Sequence, residues 1–356
     1  MKILYAIQGT GNGHISRALE IVPRLMQYAE TDVLISGSHY ELEMPFPVKY
    51  KMHGLGFIFG KKGGVDILKT YLKLDIAQLI REIRTLPVHE YDLVISDFEP
   101  VSCWASYLRK KVCFGLSNQA VTLHPLAPQP GIRDPFGRLI LERYAPTTKQ
   151  YGFHFKKFDA SVYNPVIRQA VRNAEVSDKG HITVYLPSYK NEKIIKVLSK
   201  IKNTRFEVFS KHGNEKLTFK NITIHPLHTE LFLNSMASSA GVICNAGFGT
   251  ATEALYLGKK LLVIPMKNQY EQHCNAAVLS EMGVSTLKNL KEKQLVKIQH
   301  WLKAGKVLKM EYPDQTDQMI KNILSDFEKY KNAAPSVEAD DFIDFEYMMM
   351  PVIDKS

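Results

Sequence analysis

Short apolar runs alternate with segments of helical spacing along almost the whole chain, and this alternation limits the possible folds more than any other feature. The apolar runs suit buried parallel strands, while residues 65–84 carry apolar side chains at the spacing of one helix face. Strands that alternate with helices form parallel sheets covered by helices on their faces. The sequence therefore predicts an α/β fold in which two Rossmann-like units follow one another. The predicted strands are 2–8, 32–36, 91–96, 112–116, 181–186, 206–209, 222–225, 242–244 and 260–264.

The length of the chain favours two domains, because 356 residues exceed what one hydrophobic core usually holds. We predict an N-terminal Rossmann-like domain over residues 1–155, a linker over 156–180 and a C-terminal Rossmann-like domain over 181–313. A helix over 314–331 could return to the N-terminal domain. Residues 332–356 form an acidic tail, either disordered or packed as an arm on the basic body.

The composition excludes several classes of function. The formal net charge is +10, but no nucleic-acid-binding module is recognised, so no nucleic-acid partner is expected. No window approaches the roughly 20 apolar residues of a membrane span, and the first strand starts without a signal peptide before it, so we expect a cytoplasmic protein. The four cysteines are widely spaced without a Cys-x-x-Cys pair, which indicates reduced structural thiols and no metal site.

A glycine turn in the second half predicts a phosphate site. Gly247 and Gly249 follow the strand 242–244 and would let backbone N–H groups approach a phosphate. The helix that starts near Thr250 points its positive end at the same anion. Glu253, about one turn into that helix, could accept hydrogen bonds from ribose hydroxyls.

Two polar residues follow the next strand. Glu271 and Gln272 stand at the start of another helix, just past the strand 260–264, and could read sugar hydroxyls. A strand, a glycine turn, a helix with a carboxylate, a second strand and this polar pair together are typical of a pocket for a nucleotide sugar.

The N-terminal glycine turn Gln8-Gly-Thr-Gly-Asn-Gly-His14 joins the first strand to a helix. It is not a dinucleotide fingerprint, because His14 replaces the third glycine, and no Gly-Lys-Ser/Thr follows for a Walker loop. A helix start disfavours imidazolium, so His14 would be a neutral imidazole suited to a general base. The alternative is a helix-entry histidine satisfied by the backbone.

The two glycine turns together resemble a known family, the GT-B glycosyltransferases. The closest likeness is to the branch that contains the bacterial peptidoglycan UDP-N-acetylglucosamine transferase and related family 28 and family 1-like proteins. Gly11-Asn-Gly-His14 is similar to that branch's Gly-x-Gly-His turn, and residues 245–275 are similar to its donor site. The resemblance implies a GT-B fold, with two Rossmann-like domains facing a cleft, and a UDP-sugar as donor substrate.

The resemblance also assigns roles to individual residues. His14 would be the catalytic base, and Glu253 would hold the ribose. Asp97 is expected to be structural or acceptor-facing rather than a metal ligand. Asn118, at the end of strand 112–116, would approach the acceptor. The implied acceptor and cleft residues are Gly11, Asn12, Gly13, Asp97 and Asn118, and the implied donor residues are Leu227, His228, Asn245, Gly247, Phe248, Gly249, Thr250, Glu253, Glu271 and Gln272.

The residue at position 245 bears on stereochemistry. Retaining GT-B enzymes commonly place a glutamate eight residues before the ribose glutamate, and Asn245 occupies that position. The expected reaction is therefore inverting transfer of a hexose or N-acetylhexosamine, with the leaving diphosphate stabilised by helix and glycine-turn amides rather than by a metal or other cofactor.

Residues 54–84 bear on the acceptor and admit two interpretations. Residues 54–64 combine glycines, aromatics and two lysines before the amphipathic segment 65–84, which suits either a peripheral site on an anionic inner membrane surface or a mobile acceptor loop. A glycan of the cell envelope or a lipid-linked glycan is the expected acceptor. Two other functions stay open: an isomerase similar to the UDP-sugar 2-epimerases, and a non-catalytic subunit that binds nucleotide sugars.

Overall fold

The computed structural model describes residues 1–37, 44–55, 59–60, 64–65, 75–213 and 215–332, with the backbone alone for 59–60 and 64–65. The first sheet has seven parallel strands in the order β3-β2-β1-β6-β7-β8-β9, and β4 and β5 form a separate antiparallel pair. These strands are β1 (Lys2–Gln8), β2 (Glu30–Ser36), β3 (Tyr50–Met52), β4 (Phe59–Gly60), β5 (Gly64–Val65), β6 (Leu93–Asp97), β7 (Cys113–Leu116), β8 (Lys149–Phe153) and β9 (Val162–Tyr163).

The second sheet also has seven strands, in the order β12-β13-β11-β10-β14-β15-β16, and all neighbours are parallel except β12 and β13. Its strands are β10 (His181–Tyr185), β11 (Arg205–Ser210), β12 (Leu217–Phe219), β13 (Ile222–Pro226), β14 (Gly241–Cys244), β15 (Lys260–Val263) and β16 (Ser285–Thr286). The central strands of both sheets are buried apolar segments, as strands covered on two faces must be.

Helices connect the parallel strands, and the predicted α/β fold with two Rossmann-like units is confirmed. The helices are α1 (Asn12–Leu25), α2 (Ile76–Thr85), α3 (Pro100–Leu108), α4 (Gln119–Thr122), α5 (Pro135–Arg143), α6 (Gln169–Arg172), α7 (Asn191–Leu198), α8 (Thr229–Ala237), α9 (Phe248–Tyr256), α10 (Tyr270–Glu281), α11 (Leu295–Ala304) and α12 (Thr316–Asn332). None of the helices in the described ranges combines the length and the apolar character needed to cross a bilayer.

The segment 156–180 contains more structure than its sequence indicated. Val162 and Tyr163 form β9, which pairs with β8 and extends the first sheet past the predicted boundary at residue 155. A strand of two residues is too short to produce a periodic pattern, so β9 was not predicted. The short helix α6 follows before the second sheet begins at His181.

The C-terminal helix α12 lies on the first sheet. Asp326 accepts hydrogen bonds from Lys149 Nζ and Tyr151 Oη, both at 2.7 Å. Phe327 packs edge-on against Phe114 of β7. The chain therefore crosses from the second sheet back to the first, and α12 ties the end of the described chain to the N-terminal half. Residues 56–58, 61–63 and 66–74 and the acidic tail after residue 332 lie outside the described residues, whereas the second half of the amphipathic segment 65–84 forms α2.

Candidate active site

The turn between β1 and α1 brings backbone close to β2. Gly9 N donates to Ser36 O at 2.6 Å, and a Cβ on Gly9 would lie 2.8 Å from the same oxygen, so only glycine fits there. Gly11 and Gly13 differ, because an added Cβ would meet nothing within 4 Å at either position. Gly11 precedes the first residue of α1, Asn12. The start of this helix therefore faces open space.

His14, in the first turn of α1, contacts a fully buried carboxylate. Its Nδ1 lies 2.9 Å from Oδ1 of Asp97, the last residue of β6. The His14 side chain is 14% exposed, whereas that of Asp97 is 0% exposed. Asp97, expected to be structural or acceptor-facing, is thus itself covered, while its partner His14 is partly exposed.

Arg17, which the sequence did not single out, shares this carboxylate. Its Nη2 donates to both oxygens of Asp97, at 2.9 and 3.1 Å, and lies 2.8 Å from His14 Nδ1. Burial raises the pKa of Asp97, but the charge of Arg17 and the contact with His14 outweigh it and hold the pKa below its usual value. Asp97 is therefore a carboxylate that can orient His14.

The contacts of Nδ1 decide what His14 can do. A protonated Nδ1 donates to Asp97 and leaves a free lone pair on Nε2, which can then take a proton. An unprotonated Nδ1 would instead accept from Arg17, and Nε2 would carry the proton. An ionised carboxylate only accepts hydrogen bonds and a guanidinium only donates them, so Asp97 favours the first form and Arg17 the second. Only the first form leaves Nε2 able to act as a base.

The predicted phosphate turn lies at the end of β14. Gly247 is the N-cap of α9, and a Cβ on Gly249 would meet nothing within 4 Å. Thr250 is partly exposed in the first turn of the same helix. Phe248 does not face this space: it is 6% exposed and packs against Phe155, with ring centroids 4.9 Å apart. Phe248 therefore joins the two halves of the molecule, while the glycines leave the helix start open.

Glu253, the predicted ribose ligand, is held by an arginine. Arg168 donates from Nε to Oε1 at 2.6 Å and from Nη2 to Oε2 at 2.8 Å. Arg168 precedes α6, whose Gln169 N donates to Glu20 of α1 at 2.9 Å. Arg168 was not predicted as a site residue, because nothing local to the segment 156–180 indicates a partner 85 residues away.

Glu271 bridges to the N-terminal half. Its two oxygens accept from Asn118 Nδ2 at 2.9 Å and from Gln119 Nε2 at 3.1 Å. The structure thus brings together two residues that were assigned to different substrates, Asn118 to the acceptor and Glu271 to the donor sugar. Gln119 was not singled out. Gln272 is buried, and its Oε1 accepts from Met266 N at 2.9 Å, which fixes the loop before α10.

The remaining predicted donor residues have structural partners. Asn245 donates to Ile264 O at 2.7 Å and accepts from Ser188 Oγ at 3.1 Å, so it ties β14 to the residue after β15. Leu227 N donates to Ser210 O at 3.0 Å. His228 is the N-cap of α8 and lies, like Leu227, just after β13.

No group of three or more His, Cys, Asp or Glu side chains that could hold a metal is present in the described part of the chain. The segment 54–64, predicted to contact a membrane or an acceptor, falls largely outside that part, so its predicted role stays a prediction.

Two Rossmann-like units with glycine turns at their strand ends are the arrangement of the GT-B fold, which glycosyltransferases adopt. The chain belongs to glycosyl transferase family 1, whose family model matches residues 1–304. A search of curated proteins finds no significant match.

Solved glycosyltransferases share the fold at low sequence identity. MurG of Acinetobacter baumannii is 15% identical with a TM-score of 0.56, and the alignment covers 91% of this chain and 99% of MurG. UGT89C1 of Arabidopsis thaliana, solved with UDP, is 12% identical with a TM-score of 0.54 and coverages of 94% and 96%. The calicheamicin glycosyltransferase CalG4 is 13% identical with a TM-score of 0.53 and coverages of 94% and 99%.

Proposed function

We propose that the chain is an inverting glycosyltransferase that moves a hexose or N-acetylhexosamine from a UDP-sugar to an acceptor hydroxyl. The observation that carries this proposal is the contact of His14 Nδ1 with the buried carboxylate of Asp97, 2.9 Å away, at the open start of α1. A neutral histidine oriented in this way by a carboxylate is suited to general-base catalysis.

In the proposed reaction, His14 Nε2 removes the proton of the acceptor hydroxyl while the oxygen attacks the anomeric carbon. The bond from that carbon to the diphosphate oxygen breaks, and UDP leaves with the electron pair. The open N-terminus of α9 supplies backbone N–H groups and a helix dipole for the negative charge that develops on the diphosphate. We expect no metal to be needed for this step.

The inverting course is supported by Asn245. Its amide is buried and bonded to Ile264 O and Ser188 Oγ, so this position carries no carboxylate that could take part in a retaining reaction. The choice of uridine as the base is supported by UGT89C1, which has a similar fold and was solved with UDP.

Donor binding requires an exchange of partners in this proposal. Both carboxylate oxygens of Glu253 accept hydrogen bonds from Arg168. Those of Glu271 accept hydrogen bonds from Asn118 and Gln119. Ribose and sugar hydroxyls would share or replace these bonds. A lipid-linked or cell-envelope glycan as acceptor, and a peripheral position on an anionic membrane, belong to the same proposal.

Proton NMR of the product tests the proposal. Purified protein would be incubated with α-linked UDP-sugars, first alone and then with glycan acceptors. We expect transfer only when an acceptor is present, and a β-configured product. An α-configured product would contradict inversion. An epimerised UDP-sugar formed without acceptor would instead show an isomerase.

A further inference from the structure

A cavity of about 220 Å³ lies against β6, β7 and β8 of the first sheet. Ser96, Gly115 and Gln150 of these strands line it. Ser96 precedes Asp97 in β6, and successive side chains of a strand point to opposite faces. Since Asp97 contacts α1, the cavity lies on the other face of the first sheet, where Leu141 and Glu142 of α5 close it.

The aromatic residue that lines the cavity, Phe98, has a strained backbone. Phe98, immediately after Asp97, has a φ of 57°, in the left-handed region that non-glycine residues seldom occupy. The next residue, Glu99, holds the turn, because its carboxylate accepts from Val101 N and Ser102 N at the start of α3. The Phe98 ring stacks on Tyr144 with centroids 4.9 Å apart and lines the cavity. Strain of this kind concentrates at functional sites.

Two of the residues that line the cavity carry a buried side-chain oxygen without a hydrogen-bond partner among the described residues: Gln119 Oε1 and Thr147 Oγ1. Gln119 is only 7% exposed. A buried polar atom without a partner is costly, and such an atom in a native site points to a ligand or water that completes it. Glu142, whose Oε1 accepts from Arg138 Nε at 2.8 Å, adds an exposed carboxylate to the same wall.

We propose that this cavity seats a sugar ring of the acceptor. A sugar presents several hydroxyl donors at its edge and an apolar C–H face, which match the two free oxygens and the Phe98 ring. The volume is below the roughly 300–1,000 Å³ of sites for drug-sized ligands, and it suits one ring of a larger glycan.

Gln119 connects this site to the donor side, and in this respect the inference rests on the proposed function. Its Nε2 donates to Glu271 at 3.1 Å, while its Oε1 has no protein partner and belongs to the cavity wall. Gln119 thus contacts the carboxylate proposed to read the donor sugar and lines the cavity proposed to hold a ring of the acceptor.

Saturation-transfer NMR tests the site with methyl β-glucoside, methyl β-galactoside and methyl N-acetyl-β-glucosaminide as probes, in the presence of UDP. Thr147→Val keeps the shape of the side chain and removes its hydroxyl, so it should weaken binding of the preferred glycoside roughly three- to tenfold, the value of one hydrogen bond. Phe98→Gly suits a positive φ and removes the ring, so it should weaken binding more.

Phe219→Ala, at an exposed phenylalanine on the second sheet, is the matched control and should leave glycoside binding unchanged. Binding that neither Thr147→Val nor Phe98→Gly alters would overturn the site, as would the absence of glycoside binding in wild type that binds UDP. Phe98-dependent binding of the planar phenol 4-methylumbelliferone, with no glycoside bound, would overturn the sugar assignment. Failure of wild type to bind UDP by calorimetry would instead contradict the proposed function.

Discussion

The two halves of the cleft hold their carboxylates differently. In the N-terminal half, Asp97 is fully buried, and both of its partners, His14 and Arg17, come from α1 beside its own sheet. In the C-terminal half, Glu253 and Glu271 are bound by residues from outside the second sheet. Arg168 reaches Glu253 from the segment before that sheet, and Asn118 and Gln119 reach Glu271 from the first domain.

In the proposed reaction, this difference would separate a preformed base from a donor site that must rearrange. The contacts of Asp97 would persist through a reaction, because they lie behind His14 and away from substrate. The contacts of Glu253 and Glu271 occupy the oxygens that a nucleotide sugar would use. Donor binding would therefore change how the two halves contact each other, while the His14–Asp97 pair would stay as it is.

The largest effect is expected from Asp97→Asn. The change leaves Arg17 as a buried charge without its carboxylate, and breaking such a pair costs about 3–5 kcal/mol of unfolding free energy. Turnover should also fall, roughly 10²- to 10⁴-fold, because His14 loses its orienting acceptor. Urea unfolding and initial rates measure the two effects.

The pH dependence of stability provides a second measure of Asp97. Its folded pKa lies below that of an unfolded aspartate, about 3.9, so its contribution is present above that pH and is lost as pH falls through the folded pKa. Asp97→Asn should lack this part of the acid dependence. Equal acid profiles for the two proteins would contradict the buried pair.

Glu253→Ala should have the next largest effect. It should lower the affinity for UDP rather than the activity of His14 as a base. Loss of hydrogen bonds between a carboxylate and ribose hydroxyls should weaken UDP binding roughly ten- to a hundredfold, measured by calorimetry. Glu311→Ala, at an exposed glutamate outside the cleft, is the control. Equal UDP affinities for wild type and Glu253→Ala would remove Glu253 from the donor site.

Glu271→Gln should produce a smaller and more selective effect. The amide keeps one acceptor oxygen for Asn118 or Gln119 but loses the charge, so affinity for the complete UDP-sugar should fall roughly three- to tenfold. Affinity for UDP alone should not change, because Glu271 is assigned to the sugar. A parallel loss for UDP would place Glu271 at the nucleotide instead.

Asp326→Asn should have the smallest effect, since it tests a contact outside the cleft. Hydrogen bonds from Lys149 and Tyr151 lower the pKa of Asp326 to about 2, so its contribution is present above about pH 4 and is lost as pH falls toward 2. Exposed pairs of this kind contribute roughly 0.2–1 kcal/mol. Thermal unfolding at neutral pH, with Glu328→Gln on the exposed side of α12 as control, should show a small loss for Asp326→Asn alone.

Local patterns in the sequence were sufficient for the fold class and for the two glycine turns. Mainly apolar segments located β1, β6, β10 and β14, because each is a buried strand of at least four residues with several apolar side chains. The two-residue strand β9 has no such pattern. Arg17, Gln119 and Arg168 were missed for another reason: each is defined by partners at least 80 residues away in the chain.

The most direct test of the central claim compares turnover and UDP affinity for His14→Ala. If His14 is the base and acts apart from donor binding, initial rates of transfer should fall roughly 10²- to 10⁴-fold, while calorimetry gives a UDP affinity close to that of wild type. Unchanged turnover would contradict the role of His14. Loss of UDP affinity equal to the loss of turnover would place His14 in the donor site and contradict the separation of the two halves.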